Sequence, residues 1–441
     1  MRFLILSLFL FFFGLNQSAV NAQELSYAKV DSLSHQYFNN LENAALIRIG
    51  KQALKEQIDF YYLRVRLGIA YFRLGNFEAA YMHFNKAVEM NPSEEYVLTY
   101  TYQCLLKTAQ FQRANMFLIL HPQIGSDHIA LHKGLSNFEL EGGAILTNNE
   151  SSFNGVNLRK QGPYAAGDFF SGMDYIRAYF EVLLAPDTRL HVGGNLYQSN
   201  QLSKLQFFAT DLEKNYSTLN VQLNLGLTKN FKDGWGSGFG MAYYHQNFTH
   251  PYINSNINPT PPNAPIMDTS EKTNSISISM YVSKRSKYIE PILFLNYGNF
   301  DFLPRIQTEA GITYFPLGNS KLFGYSSASL SILNGQNNFV YQQKIGFAPN
   351  ANWIIEASYM AGSLNNYMGR LGFLTLNTFD PLKWSTGLDI SLRKNRYTLA
   401  PGYRYQMRES GYTLENGINT FSYQTYNYYN HLFFITIKCQ L

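Results

Sequence analysis

The sequence predicts two unlike halves: a helical array, then an antiparallel transmembrane β-barrel of about 14 strands, with roughly 12 to 16 allowed. Three observations carry this. Apolar residues recur with a helical period up to about residue 135 and with a period of two from Asn137 onward. Charged residues are only 15% of the 441, against roughly 25% in soluble domains, whereas aromatics reach 16%, with 33 Tyr and 34 Phe. Mean hydropathy is still slightly negative, −0.21, because Asn, Ser, Gln, Gly and Tyr replace the missing charge. That mixture suits a surface facing lipid in one place and water in another.

Residues 1–22 read as a secretory signal peptide. Arg2 supplies the positive start, Phe3 to Leu15 the apolar run, and Val20-Asn21-Ala22 the small cleavage positions. The run is shorter than the ~20 apolar residues a spanning helix needs. The net charge of +5 is mild and scattered, so nucleic acid is not expected as a partner. Cys104 and Cys439 are expected in different halves, one on a helix and one on a strand, which excludes a disulfide framework.

Residues 23–135 form the predicted helical domain. Its clearest stretch, YYLRVRLGIAYFRLGNFEAAYMHFNKAVEMNPSE (61–94), resembles the tetratricopeptide repeat, a 34-residue helix–turn–helix unit. Leu67, Gly68, Tyr71, Ala80, Phe84, Ala87 and Pro92 carry the resemblance. Gly68 and Ala80 are small where two helices must approach, Tyr71 and Phe84 fill the space between them, and Pro92 ends the second helix. Arg64 stands where the repeat usually has Trp, a departure from the pattern. Weaker phases flank it, through Tyr37 and Ala53 upstream and Ala114 and Leu118 downstream. About three units stack, near the minimum for a continuous core. The resemblance implies a binding surface for peptides or proteins, here a periplasmic or membrane protein.

Residues 136–441 alternate. In STLNVQLNLGLT (217–228), Leu219, Val221, Leu223, Leu225 and Leu227 oppose Asn220, Gln222, Asn224 and Gly226. NSISISMYVS, YIRAYFEVLL and GLDISLR repeat the pattern, and APDT, KDG, PLGN, APNAN and RKN separate the runs. A soluble sandwich would put the apolar face in its core and many Lys and Glu outside. The polar faces here are Ser, Asn, Gln, Gly and Tyr, which favours a barrel with lipid outside and a polar lumen. Trp235, Trp353 and the run YQTYNYY (423–429) suit the aromatic girdles of such barrels. Strand stretches of about 10–13 residues match the ~9–11 needed to cross.

The last strand, ending YYNHLFFITIKCQL, should close the barrel by pairing with a first strand near Phe138 to Leu146. The expected site is the outer membrane of a Gram-negative cell, with the helical domain periplasmic and an even strand number. Long polar stretches at 149–172, 200–215, 249–273 and 409–428 read as extracellular loops. Between Gly362 and Trp384 the segment GRLGFLTLNTFD is either a strand or part of a loop.

No motif for catalysis, metal or cofactor stands out. His245 and His250 lie five apart, which is not a metal spacing. Alternation turns Glu139, Glu141, Arg177, Glu181, Arg189, Arg305 and Glu309 into the lumen, with Lys344, Glu356, Asp389, Arg393, Arg404 and Lys438. Their mixed signs predict structural ion pairs, with a polar pore lined by both signs as the alternative, rather than the one-signed ring of a selective pore. YFPLGNSKLFGYSSASL (314–330) and IGFAPNANWIIEASYMAGSLNNY (345–367) resemble the YaiO-type barrels of Bacteroidota-type bacteria. The functional expectation is a non-enzymatic membrane anchor for a protein-binding helical domain in an envelope assembly, secretion or export complex. A porin or export channel for polysaccharide or small solutes is the alternative, and an outer-membrane enzyme the third.

Overall fold

The structure, a computed structural model, describes residues 25–108, 110–124, 134–149, 164–207, 210–231, 234–253, 266–300, 303–333, 336–362, 367–369, 375–376, 380–417 and 420–440. The predicted signal peptide lies outside them. Six α-helices appear among the described residues: α1 (Tyr27–Asn39), α2 (Asn43–Lys55), α3 (Tyr61–Arg73), α4 (Phe77–Met90), α5 (Glu95–Lys107) and α6 (Phe111–Leu120). The α3–α4 hairpin is the repeat read from the sequence. Gly75 takes the left-handed conformation (φ 73°) at its turn, and Asn76 caps α4 by accepting from the Ala79 amide at 3.1 Å. Leu67, Ala80, Phe84 and Ala87 are fully buried. A Cβ on Gly68 would lie 2.6 Å from the Phe84 ring, so only glycine allows this helix approach. Pro92 follows the end of α4 at Met90. Cys104 is buried on α5, and burial pushes its thiol pKa up.

The second half is a closed antiparallel barrel. Its wall is built from β1 (Gly134–Thr147), β2 (Tyr164–Ala185), β3 (Thr188–Phe207), β4 (Thr210–Asn230), β5 (Trp235–Ile253), β6 (Ile266–Lys284), β7 (Ile289–Phe300), β8 (Leu303–Tyr314), β9 (Leu322–Leu333), β10 (Gln336–Phe347) and β11 (Trp353–Gly362). After the short pair β12 (Tyr367–Met368) and β13 (Thr375–Leu376) come β14 (Leu382–Lys394), β15 (Tyr397–Gly417) and β16 (Thr420–Gln440). β12 and β13 pair only with each other, which leaves 14 strands in the wall. The described residues between Gly362 and Leu382 therefore contribute no wall strand. Closure runs from Asn137↔Gln440 to Thr147↔Asn430, where the C-terminal strand meets β1.

Burial identifies which face is which. On β4, Leu219 and Leu223 are 59% and 54% exposed, while Asn220 and Gln222 are 2% and 3% exposed. On β6, Ile276 is 53% exposed and Ser277 fully buried. Apolar side chains therefore cover the outside and amides and hydroxyls the inside, the reverse of a soluble domain. Trp235 and Trp353 sit exposed at the starts of β5 and β11.

Several strands are longer than the sequence suggests. β2 has 22 residues and β5 has 19, rather than 10–13. Most of 200–215 and 409–428 is accordingly paired strand in the β3–β4 and β15–β16 hairpins, not loop. The stretch 249–273 is strand to Ile253 and from Ile266, and 149–172 is strand from Tyr164, with the parts between outside the described residues. Backbone pairing between adjacent strands does not stop where the lipid-facing pattern stops. Beyond the ends of β1 and β14, the free edges of β2 and β15 pair with each other at Thr413↔Ala166 and Leu414↔Ala165. Ala165, Phe169, Leu202, Tyr412 and Leu414 form a small apolar cluster there.

Candidate functional site

Three features meet in and below the lumen: a wall of paired charges, a hairpin folded inward, and the helical domain docked on one mouth. Glu139 and Glu141 are two residues apart on β1 and so face the same way. Arg177 on β2 bridges them at 3.2 and 2.9 Å. Lys438 on β16 reaches Glu139 at 2.9 Å, and Thr436 and Tyr175 donate to Glu141 at 2.7 and 3.0 Å. Lys344 on β10 pairs with Glu356 on β11 at 2.9 Å, and Arg404 on β15 with Asp389 on β14 at 2.6 Å. Arg189 and Glu181 pair toward the short-turn end, where His191 also approaches Glu181. Arg305 is buried in the wall at β8. Glu309 accepts the hydroxyls of Tyr325 and Tyr367 at 2.6 and 2.7 Å. Arg393 differs from its neighbours. It is exposed at the short-turn rim, because it comes just before the β14–β15 turn.

The hairpin between β11 and β14 enters the lumen. Gln307, buried on β8, grips the backbone of Met368 with both ends of its carboxamide: Nε2 donates to the Met368 carbonyl at 2.7 Å and Oε1 accepts from its amide at 3.0 Å. This reproduces one rung of a β-ladder with a side chain. Met368 packs on Ala242 and Tyr244, and Tyr367 on Val340 and Leu382. In the lumen a cavity of about 440 Å³ remains, lined from β1–β4, β10, β11 and β14–β16.

The helical domain sits on the end that carries the short turns. Glu78, in the first turn of α4, forms an ion pair with Arg285 of the β6–β7 turn, and both side chains are over nine-tenths buried. Arg285 lies 3.7 Å above the Phe315 ring. The Glu78 amide donates to the Gly318 carbonyl at 2.9 Å, Asn76 to the Tyr288 hydroxyl at 3.1 Å, and Asn319 to the Gly75 carbonyl at 2.8 Å. Gly318 has φ 63°, and a Cβ there would lie 2.2 Å from Asn76 Oδ1. Burial raises the Glu78 carboxyl pKa above its usual value, and Arg285 only partly offsets it. The turn of the repeat is thus a docking point, beside the Ser320 hydroxyl that donates to the Lys107 carbonyl of α5 at 3.1 Å.

Sequence reading missed Gln307, Glu78 and Arg285. Gln307 follows the lumen alternation, so its place was readable, but its partner 61 residues on was not. Among the described residues no group of His, Cys, Asp and Glu could hold a metal. His245 bonds Asn274 at 2.8 Å on an exposed edge.

Residues 61–94 match the tetratricopeptide repeat family. No curated protein sequence matches the chain. Solved structures that resemble it include the TodX monoaromatic hydrocarbon channel deltaS2 mutant (8% identity, 70% of this chain and 91% of that one, TM-score 0.46). A Pseudomonas aeruginosa FadL homologue gives 9% identity over 70% of this chain and 90% of that one, with TM-score 0.43. A bacterial polysaccharide outer membrane secretin gives 11% identity over 70% and 99%, with TM-score 0.34. The chain thus combines a tetratricopeptide repeat with a closed 14-stranded barrel.

Proposed function

We propose that this chain is an outer-membrane barrel that anchors its helical array at the periplasmic mouth and presents it to a periplasmic or membrane protein of an envelope assembly, secretion or export complex. The carrying observation is the buried Glu78–Arg285 pair with the Glu78–Gly318 backbone bond. A domain that merely trailed on a linker would need no such lock, whereas a platform that holds its partner at a fixed height and angle does. The apolar outer face supports the lipid environment. A role without chemistry of its own is supported by the lumen carboxylates, since Glu139, Glu141, Glu309, Glu356 and Asp389 each hold a cation or accept a hydroxyl.

A channel is the second reading, favoured by the lumen cavity. Two measurements separate them. A photo-crosslinker at Tyr62 or Tyr96, both exposed on the helical array, captures one periplasmic or membrane protein in intact cells if the chain is an anchor. The purified full chain then carries no steady current in a planar bilayer. Steady conductance without a crosslinked partner would overturn the anchor reading in favour of the pore.

A further inference from the structure

The cavity has no role in the anchor reading, and its lining is selective. Its charges are already engaged: Arg177 lies between Glu139 and Glu141, Lys438 reaches Glu139, Lys344 faces Glu356, Arg404 faces Asp389, and Arg408 donates to the Asp380 carbonyl and to Gln406. An entering anion or cation must compete with a partner already in place. A purely apolar solute would strip water from these pairs and return nothing. A neutral molecule rich in hydroxyls meets neither obstacle, because each hydroxyl donates to a carboxylate or amide oxygen and accepts from a guanidinium, ammonium or amide.

The rest of the lining fits that chemistry. Asn195, Gln222, Gln406 and Ser391 place amide and hydroxyl groups between the charged pairs. Asn195 donates to Gln222 at 3.0 Å, and its own carbonyl oxygen is buried without a partner. Tyr175, Tyr197 and Phe434 offer ring surface, and Arg404 sits 4.9 Å over Phe434. Rings of this kind take the C–H face of a pyranose, while the polar groups take its edge. The volume of about 440 Å³ lies within the range of small-molecule sites. We propose that the lumen cavity is a binding site for a neutral oligosaccharide of two or three sugar units.

The test is calorimetric titration of the full chain in detergent with cellobiose, lactose, trehalose and maltotriose, and with digalacturonate as a charged counterpart. The proposal expects one-to-one binding of at least one neutral sugar and weaker binding of digalacturonate. Asn195→Leu and Phe434→Ala should each weaken the neutral sugar by about tenfold. Two variants on different strands guard against one failing to fold, and heat-modifiable migration reports folding for each. Lack of binding by all four neutral sugars up to about 10 mM, tighter binding of digalacturonate, or unchanged affinity in both folded variants would overturn it. None of these outcomes depends on whether the helical array has a partner.

Discussion

Replacing Arg285 by alanine should release the helical domain from the barrel. The arginine is the only cation paired with Glu78 among the described residues, and it also covers Phe315. Breaking a buried ion pair costs about 3–5 kcal/mol, and the lost stack adds up to ~2 kcal/mol. Two features hold the figure near the lower end. Gln110 still donates to Glu78 at 3.0 Å, and burial already raises the Glu78 carboxyl pKa, so a proton can replace the lost cation. A net cost of about 3 kcal/mol shifts the docked-to-free ratio by roughly two decades. The sign of the pH effect follows. An acid whose docked pKa lies above its free value stabilises docking below the free value, and that contribution is lost as pH rises through the docked one. The variant should therefore detach more completely at higher pH. Spin labels at Met90→Cys and Tyr397→Cys, in a background with Cys104→Ala and Cys439→Ala, read the separation directly. A narrow distance distribution should broaden in Arg285→Ala and broaden less in Arg285→Lys, which keeps the charge but loses the planar fork. Equal widths in all three proteins would refute a locked interface.

Gln307→Ala should loosen the inward hairpin. It strands the buried amide and carbonyl of Met368, about 1–3 kcal/mol each, while the Tyr367–Glu309 bond and the packing of Tyr367 and Met368 remain. Planar-bilayer recordings should then show more frequent openings than the parent chain; an unchanged trace from a folded variant would contradict the latch. His83 gives a pH signature to the helical array. Burial, then Arg64, whose guanidinium donates toward His83 Nδ1 at 3.2 Å, lowers its pKa from 6.5 to about 4. Its contribution is full above pH 6.5 and is lost as pH falls toward 4, by at most about 3 kcal/mol. Helical circular dichroism should melt earlier at about pH 4.5 than at about pH 7, and His83→Gln should flatten the difference.

Much of the fold is legible because alternation and helical period are local properties. Leu219 to Leu227 and Ser275 to Val282 announce strands without any partner, and seven positions from Leu67 to Pro92 specify a hairpin by spacing alone. Alternation also reaches the lumen charges, since a strand's side chains have only two faces to choose from. It places Arg393 on the inner face but cannot say how near the rim a residue lies. Strand ends are illegible for a related reason: the β3–β4 and β15–β16 hairpins continue past the lipid-facing residues on backbone bonds that any side chain permits. The stretch after Gly362 stays open between strand and loop in the sequence because nothing local shows that Tyr367 and Met368 are buried against Ala242, Tyr244, Val340 and Leu382 inside the barrel. The docking pair joins residues 207 apart, a contact that only the folded chain brings together.

Accessibility of spin labels along β4 in lipid nanodiscs tests whether bilayer surrounds the barrel. Labels at Leu219, Leu223 and Leu227 should collide freely with oxygen dissolved in the acyl chains, while labels at Asn220, Gln222 and Asn224 should not. Outward positions shielded from oxygen, or all six equally reached by a water-soluble nickel chelate, would mean that the leucine stripe packs against protein, and the membrane anchor would fall with it.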